Sequence, residues 1–223
     1  CEFTPDQTGV CSALAKKFDL ITVREKSGVD LCKQHLGVDA IHVVDPTLLL
    51  TKDDYIDLIK NNNVPMSEGT LFNYVLDPSQ AMSCLIRKIS LETGLKTFQV
   101  LPKYNEDHRT KKDVKQRIDD CVYPSPLAWI RAFMDADMTI VDSFHGTVFS
   151  IIFNKPFWVV GNKERGMSRF TSLLSMFGLE DRLICDDDLE KLDYNRPIDW
   201  HNVNKLLAEK REQSLEILMK SLE

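Results

Sequence analysis

No run of this 223-residue chain reaches the roughly 18 uninterrupted apolar residues of a membrane-spanning helix, so no transmembrane segment is expected. A basic excess is also missing. Lys and Arg number 28 against 34 Asp and Glu, for a net charge of -6. That balance lacks the electrostatic footprint of a nucleic-acid binder, and no nucleic-acid partner is expected. The six cysteines, at 1, 11, 32, 84, 121 and 185, contain no C-x-x-C pair, which argues against a zinc ribbon or a dithiol redox motif. Cys32, Cys84 and Cys121 lie in or beside apolar stretches and read as small hydrophobes. Reduced, structural thiols suit a cytoplasmic protein. The five histidines, at 35, 42, 108, 145 and 201, make no metal spacing, so no metal is expected. His35, in a helical stretch, and His42, in a strand, read as structural. There is no G-x-G-x-x-G, no G-x-x-x-x-G-K-[ST], no G-x-S-x-G and no H-E-x-x-H. No charged segment precedes an apolar run at the start, so no signal peptide is read there. The chain opens in mid-phrase on Cys1-Glu2-Phe3-Thr4-Pro5, and a longer protein is expected around it.

What is present is alternation. Short apolar runs at 20–23, 41–44, 71–76, 97–101, 138–141 and 156–160 read as strands. Between them lie helical patterns with recognisable ends. Thr4-Pro5-Asp6 starts a helix reaching about 18, and Ser27 caps one that Gly37 stops. Thr51 caps a third, with Asp53 and Asp54 in its first turn. Pro78 opens a helix that Gly94 closes, and Ser125-Pro126 pairs a cap with proline at the first helical position. Further helical patterns cover about 145–153 and 169–177, and a long amphipathic one covers 200–222. The expected fold class is α/β and Rossmann-like, a mainly parallel sheet of six or seven strands with helices on both faces. Nearly continuous apolar strands suit a sheet covered on both sides. A single domain over 1–223 is expected, with 199–223 as its closing helix.

Ligands of such sheets bind outside the carboxyl ends of the strands. That rule selects Arg24 and Glu25, Asp45, Lys103, the turn Asp142-Ser143-Phe144-His145-Gly146, and the segment 162–169. The turn is the strongest of these. Asp142 and Ser143 can cap a helix, Gly146 can admit a ligand to the backbone, and helix-start amides attract phosphate or carboxylate. His145 would stand beside that anion, placed to exchange a proton near neutral pH. The plain alternative is an ordinary capped helix with an incidental histidine. Second comes Lys163-Glu164-Arg165-Gly166-Met167-Ser168-Arg169, where arginine forks match carboxylate or phosphate. The alternative there is a solvated loop. Arg24 either aims at the same crevice or forms a surface ion pair with Glu25 or Asp30. The basic stretch of Lys103, His108, Arg109, Lys111, Lys112, Lys115 and Arg117 either greets an anionic acceptor or is a solvated face.

Five motifs occur in order: Val23-Arg24-Glu25-Lys26-Ser27-Gly28, Asp45-Pro46-Thr47-Leu48-Leu49, Pro124-Ser125-Pro126 with Trp129, Asp142-Ser143-Phe144-His145-Gly146, and Arg165-Gly166 with Ser168-Arg169-Phe170. Together, over about residues 5–185, they resemble the polysaccharide pyruvyltransferase family. The resemblance implies a bacterial, cytoplasmic enzyme of two Rossmann-like halves, similar to GT-B glycosyltransferases, of which this chain looks like the C-terminal portion. It implies transfer of pyruvate from phosphoenolpyruvate to two hydroxyls of a glycan or lipid-linked sugar in exopolysaccharide synthesis, with no other cofactor. A lipid-linked acceptor would place the work at the inner membrane face. By the same resemblance His145 is the acid/base, Arg24, Arg165 and Arg169 hold the donor's anionic groups with Ser143 and Gly146 at the turn, and Asp142 and Asp45 support them. The partner half of the protein is expected to be needed for turnover. Ser143 departs from the arginine that many members carry two positions before the histidine. A GT-B glycosyltransferase using a nucleotide sugar, and a non-catalytic sugar-binding domain, are the competing readings.

Overall fold

The structure is a computed structural model that describes residues 4–102, 122–161, 166–185 and 192–222. Contacts divide the chain into two compact units. One is Cys1–Leu50 with Asn162–Leu183 and Asp199–Glu223, and the other is Thr51–Gly161 with Ile184–Ile198.

The second unit is built on a five-stranded sheet. Its strands are β3 (Leu71–Tyr74), β4 (Thr97–Phe98), β5 (Met138–Val141), β6 (Phe157–Val160) and β7 (Leu183–Ile184), in the order β4-β3-β5-β6-β7. The β3–β4, β3–β5 and β5–β6 ladders are parallel, with Tyr74 opposite Val141 and Ile140 opposite Trp158. Its helices start where the sequence offers caps. Helix α3 (Lys52–Asn61) opens on a reciprocal capping box between Thr51 and Asp54. Helix α4 (Gln80–Thr93) is capped by the Ser79 hydroxyl, one residue beyond the expected Pro78, and Gly94 ends it at φ 74°. Helix α5 (Pro126–Asp135) has Ser125 as cap and Pro126 in its first turn. Helix α6 (Phe144–Ile152) follows β5.

Strand alternation sorts the side chains onto two faces. Leu71, Val75, Met138, Ile140, Trp158 and Val160 pack with Met82, Leu85 and Ile89 of α4. On the opposite face Phe72 meets Phe133 of α5 edge-on at 4.8 Å. Trp129 meets Phe149 of α6 at 5.0 Å, and Tyr55 of α3 packs on the same Phe149 at 5.0 Å. Thr139 of β5 and Ser150 of α6 satisfy each other through a buried 2.7 Å hydrogen bond. Burial on both faces explains why β5 and β6 are unbroken apolar runs.

The strand order has a functional consequence. From β3 the chain moves outward to β4, then returns to β5 on the other side of β3. Connections leave β3 and β5 in opposite directions, so a crevice opens between their carboxyl ends.

The first unit contains α1 (Pro5–Ala15), β1 (Thr22–Val23), α2 (Lys26–Leu31), β2 (Ile41–His42), α7 (Ser168–Phe177) and α8 (Trp200–Lys220). Helix α2 runs into a π-helical turn, Cys32–Leu36, that Gly37 ends at φ 65°. Strands β1 and β2 pair in parallel as a separate two-stranded sheet. Helix α8 closes this unit as a clamp. Its Ser214 hydroxyl accepts from the Val44 amide at 3.1 Å, and Arg211 donates to the carbonyls of Leu48 at 2.8 Å and Leu50 at 3.1 Å.

Three expectations are revised. The strands read at 20–23 and 41–44 pair over two residues each and do not join the larger sheet. Strand β7 was not expected, because two apolar residues after a 3-10 turn carry no periodicity. Cys84 is exposed on α4, whereas Cys32 is buried as expected. Among the described residues, no helix is long and apolar enough to cross a membrane.

Candidate functional site

The crevice between β3 and β5 is held together by Asp142. Its amide extends the ladder by donating to the Tyr74 carbonyl at 3.3 Å. Its carboxylate accepts from the Leu76 amide, at 2.8 and 2.9 Å, and from the Asp77 amide at 2.7 Å. Two successive amides of the turn leaving β3 are thus fastened to the first residue after β5. Charge-assisted bonds of this kind are among the stronger ones in proteins. Ser143 caps α6, its hydroxyl accepting from the Gly146 amide at 3.0 Å.

Gly146 is dictated by packing. A Cβ placed on it would lie 2.7 Å from Ser143 Oγ and 3.1 Å from Val141 Cβ. A side chain at this position would press on the cap and on β5. Gly146→Ala is expected to destabilise the protein by about 1–3 kcal/mol through overpacking, read as a lower Tm in thermal melts.

Helix α6 is apolar on every side. Phe144 and all residues from Gly146 to Ile152 are buried, and His145 is its one exposed residue. The imidazole sits in the first turn, its ring edge-on to Phe144 at 5.3 Å. A short buried helix that sends one histidine to solvent at the carboxyl edge of the sheet holds that side chain on a rigid support.

Tyr74, the last residue of β3, was missed by the sequence reading. Its ring packs edge-on against Trp129 at 5.2 Å. Burial pushes its phenol above the ordinary value of 10.0, and Tyr123 and Asp142 add to the shift. The only signal in the sequence was its place at a strand end. A raised folded value means that the folded state holds this proton more tightly than the unfolded chain. The corresponding stability is present below pH 10 and is lost as pH climbs through the folded value. Tyr74→Phe is therefore expected to lose less stability than the wild type as the pH is raised above 10, in denaturant titrations.

The remaining candidates lie in the first unit. Arg24 pairs with Asp45 at 2.6 Å, with side-chain exposures of 39% and 3%. This partner comes from the neighbouring strand end and not from the sequence neighbourhood in which Glu25 and Asp30 were expected. Asp45 also accepts from the Thr47 amide at 3.0 Å. Glu25 instead accepts from the Ser168 hydroxyl at 3.4 Å, at the start of α7. Arg169 stacks its guanidinium over Phe170 at 5.1 Å, and its buried Nε has no hydrogen-bond partner. Arg165 and the basic residues Lys103, His108, Arg109, Lys111, Lys112, Lys115 and Arg117 lie outside the described residues. Among the described residues no cluster of His, Cys, Asp and Glu could hold a metal ion. A cavity of about 390 Å³ in the first unit, between β2 and α8, is lined by His42, Val44, Lys210 and Glu216 and contains none of the predicted site residues.

The structure thus gathers Asp142, Ser143, His145 and Gly146 into one turn at the β3–β5 crevice, and separately pairs Arg24 with Asp45. Compared with known proteins, the family described as polysaccharide pyruvyl transferase matches residues 8–164. No match was found among curated proteins.

Proposed function

From its membership of the polysaccharide pyruvyl transferase family, which the chain matches over residues 8–164, we propose that it transfers pyruvate from phosphoenolpyruvate to a pair of sugar hydroxyls. His145 is the acid/base in this reading. The observation that carries it is the placement of His145 as the one exposed residue of α6, at the crevice between β3 and β5.

The reaction asks for proton traffic and for charge neutralisation. A proton goes to the methylene carbon of phosphoenolpyruvate, leaving an oxocarbenium-like centre at the neighbouring carbon. One sugar hydroxyl attacks that centre, the carbon–oxygen bond to phosphate breaks, and a second hydroxyl closes the ketal. The two hydroxyl protons balance the ledger, one ending on the new methyl group and one on phosphate. A single histidine that accepts from a hydroxyl and donates to carbon meets both needs, an exchange suited to imidazole.

Arginines suit the donor's carboxylate and phosphate because the guanidinium matches them bidentately. Arg169 keeps the role that the family resemblance implies, and its buried Nε has no hydrogen-bond partner within the chain. Arg24 already neutralises Asp45, which weakens its pull on a further anion. Arg165 keeps the same proposed role. Ser143 supplies no charge of its own and is proposed only to fix the turn on which His145 stands.

The test is product formation. Phosphoenolpyruvate and a panel of bacterial glycans are incubated with the protein, and phosphate release and ketal methyl protons are followed together by NMR. Equal amounts of phosphate and ketal support the reading. No phosphate from any acceptor, with a sugar nucleotide raising Tm where phosphoenolpyruvate does not, transfers the protein to the glycosyltransferases.

A further inference from the structure

The carboxyl end of β3 carries more than His145. Tyr74 is half-buried there, held edge-on against Trp129. Trp129 is itself fixed by Phe133 at 4.8 Å and Phe149 at 5.0 Å, both edge-on. Tyr123, 66% exposed, stands near enough to Tyr74 to raise its phenol, as does Asp142. Leu76, just past β3, and Val122, beside Tyr123, are also exposed, at 38% and 63%. Tyr123 thus sets an exposed aromatic side chain in the neighbourhood of Tyr74, the kind of residue that marks a binding surface.

We propose that Tyr74, Trp129 and Tyr123 form the aromatic wall on which the pyranose ring of the acceptor packs, next to the His145 turn. The inference rests on the transferase reading and adds to it the residues that select the acceptor. A pyranose presents an apolar C–H face and a rim of hydroxyls. The complementary surface is a set of rigid rings with a few polar groups at its edge, the usual make-up of a small-molecule site. Here Tyr74 and Trp129 are backed by other rings, so those two lose little side-chain freedom on binding. The polar edge is the Tyr74 hydroxyl. The indole Nε1 of Trp129 is buried without a hydrogen-bond partner.

The wall also explains a division of labour. Asp142 fastens Leu76 and Asp77, so the end of β3 that carries Tyr74 is fixed relative to the turn that carries His145. A ring resting on Tyr74 and Tyr123 is thereby set at a constant height with respect to the imidazole. Such registry lets one proton carrier serve two hydroxyls of the same sugar.

The experiment uses the full chain and saturation-transfer NMR, with methyl β-D-galactopyranoside and methyl β-D-glucopyranoside as probes. Phosphoenolpyruvate binding, read from its ³¹P linewidth, is measured alongside. Saturation is expected on the ring C–H protons of at least one pyranoside. Tyr123→Ala, an exposed position safe for folding, is expected to weaken that binding about 5- to 10-fold, the loss of one aromatic face. Trp129→Phe is expected to weaken it as well, and neither variant should change the ³¹P linewidth. Absence of saturation from both pyranosides at tens of millimolar overturns the wall. So does binding that Tyr123→Ala and Trp129→Phe leave unweakened. If the wall binds sugar and the ³¹P signal never broadens, the acceptor subsite stands and the choice of donor falls.

Discussion

Replacing His145 with alanine is expected to lower kcat for phosphate release by about 10²- to 10⁴-fold, the usual worth of a positioned acid/base group. Stability should hardly move. His145 is the one exposed residue of α6, and its edge-on contact with Phe144 lies at the surface end of that helix, so its loss removes little buried area. Exposed substitutions away from special features stay within about 0.5 kcal/mol. The two readouts together discriminate. A large fall in kcat at unchanged Tm marks a group that acts on substrate. His145→Gln keeps most of the shape and polarity without a titratable proton, and should be as impaired as the alanine variant. Full activity in either variant would reduce the histidine to an incidental surface residue.

Asp142→Ala is expected to destabilise the protein by about 3 kcal/mol, several times more than His145→Ala. Bonds from backbone amides to an ionised carboxylate are worth about 1.5–3 kcal/mol each, and stranded amides add a desolvation cost. The carboxylate serves both Leu76 and Asp77, tying the turn leaving β3 to the end of β5. Asp142→Asn should cost about half as much, because the amide oxygen can still accept from one N–H while its NH₂ group faces the other. Denaturant titration separates the two variants. Catalysis is expected to fall in both, since His145 stands three residues beyond Asp142, in the first turn of α6. A stability loss below about 1 kcal/mol in Asp142→Ala would show that the turn is held elsewhere.

These effects indicate what the sequence makes legible. Helix starts are local, so Thr51, Ser79 and Ser125 cap their helices within one residue of the expected places. Strands β5 and β6 are legible because burial on both faces requires unbroken apolar runs, and Met138–Val141 is found where it was read. Pairing is not local. Nothing in the runs at 20–23 and 41–44 announces that they pair only with each other. The same limit applies within the site. That Asp142 and Ser143 follow a strand is visible, but the partners of Asp142 lie 65 and 66 residues away, and proximity in sequence suggested a cap instead. Arg24 is comparable. Glu25 and Asp30 are its neighbours in sequence, while the ion pair forms with Asp45, 21 residues on, because parallel β1 and β2 bring their carboxyl ends together. The close approach of Val141 and Ser143 to Gly146 is likewise visible only once the helix is packed. Tyr74 was passed over because an aromatic at a strand end looks like core until burial and its neighbours are known.

The central claim is that the His145 imidazole meets phosphoenolpyruvate. It is tested most directly by following the imidazole resonances during a phosphoenolpyruvate titration. The chain has five histidines, so the spectrum is simple, and His145→Gln assigns the signal in question by its disappearance. The account predicts that the His145 resonances shift progressively with phosphoenolpyruvate and that those of His35 and His201 stay in place. If the His145 resonances do not move while the ³¹P signal of phosphoenolpyruvate broadens, the donor binds elsewhere and the assignment of His145 as its proton carrier is contradicted.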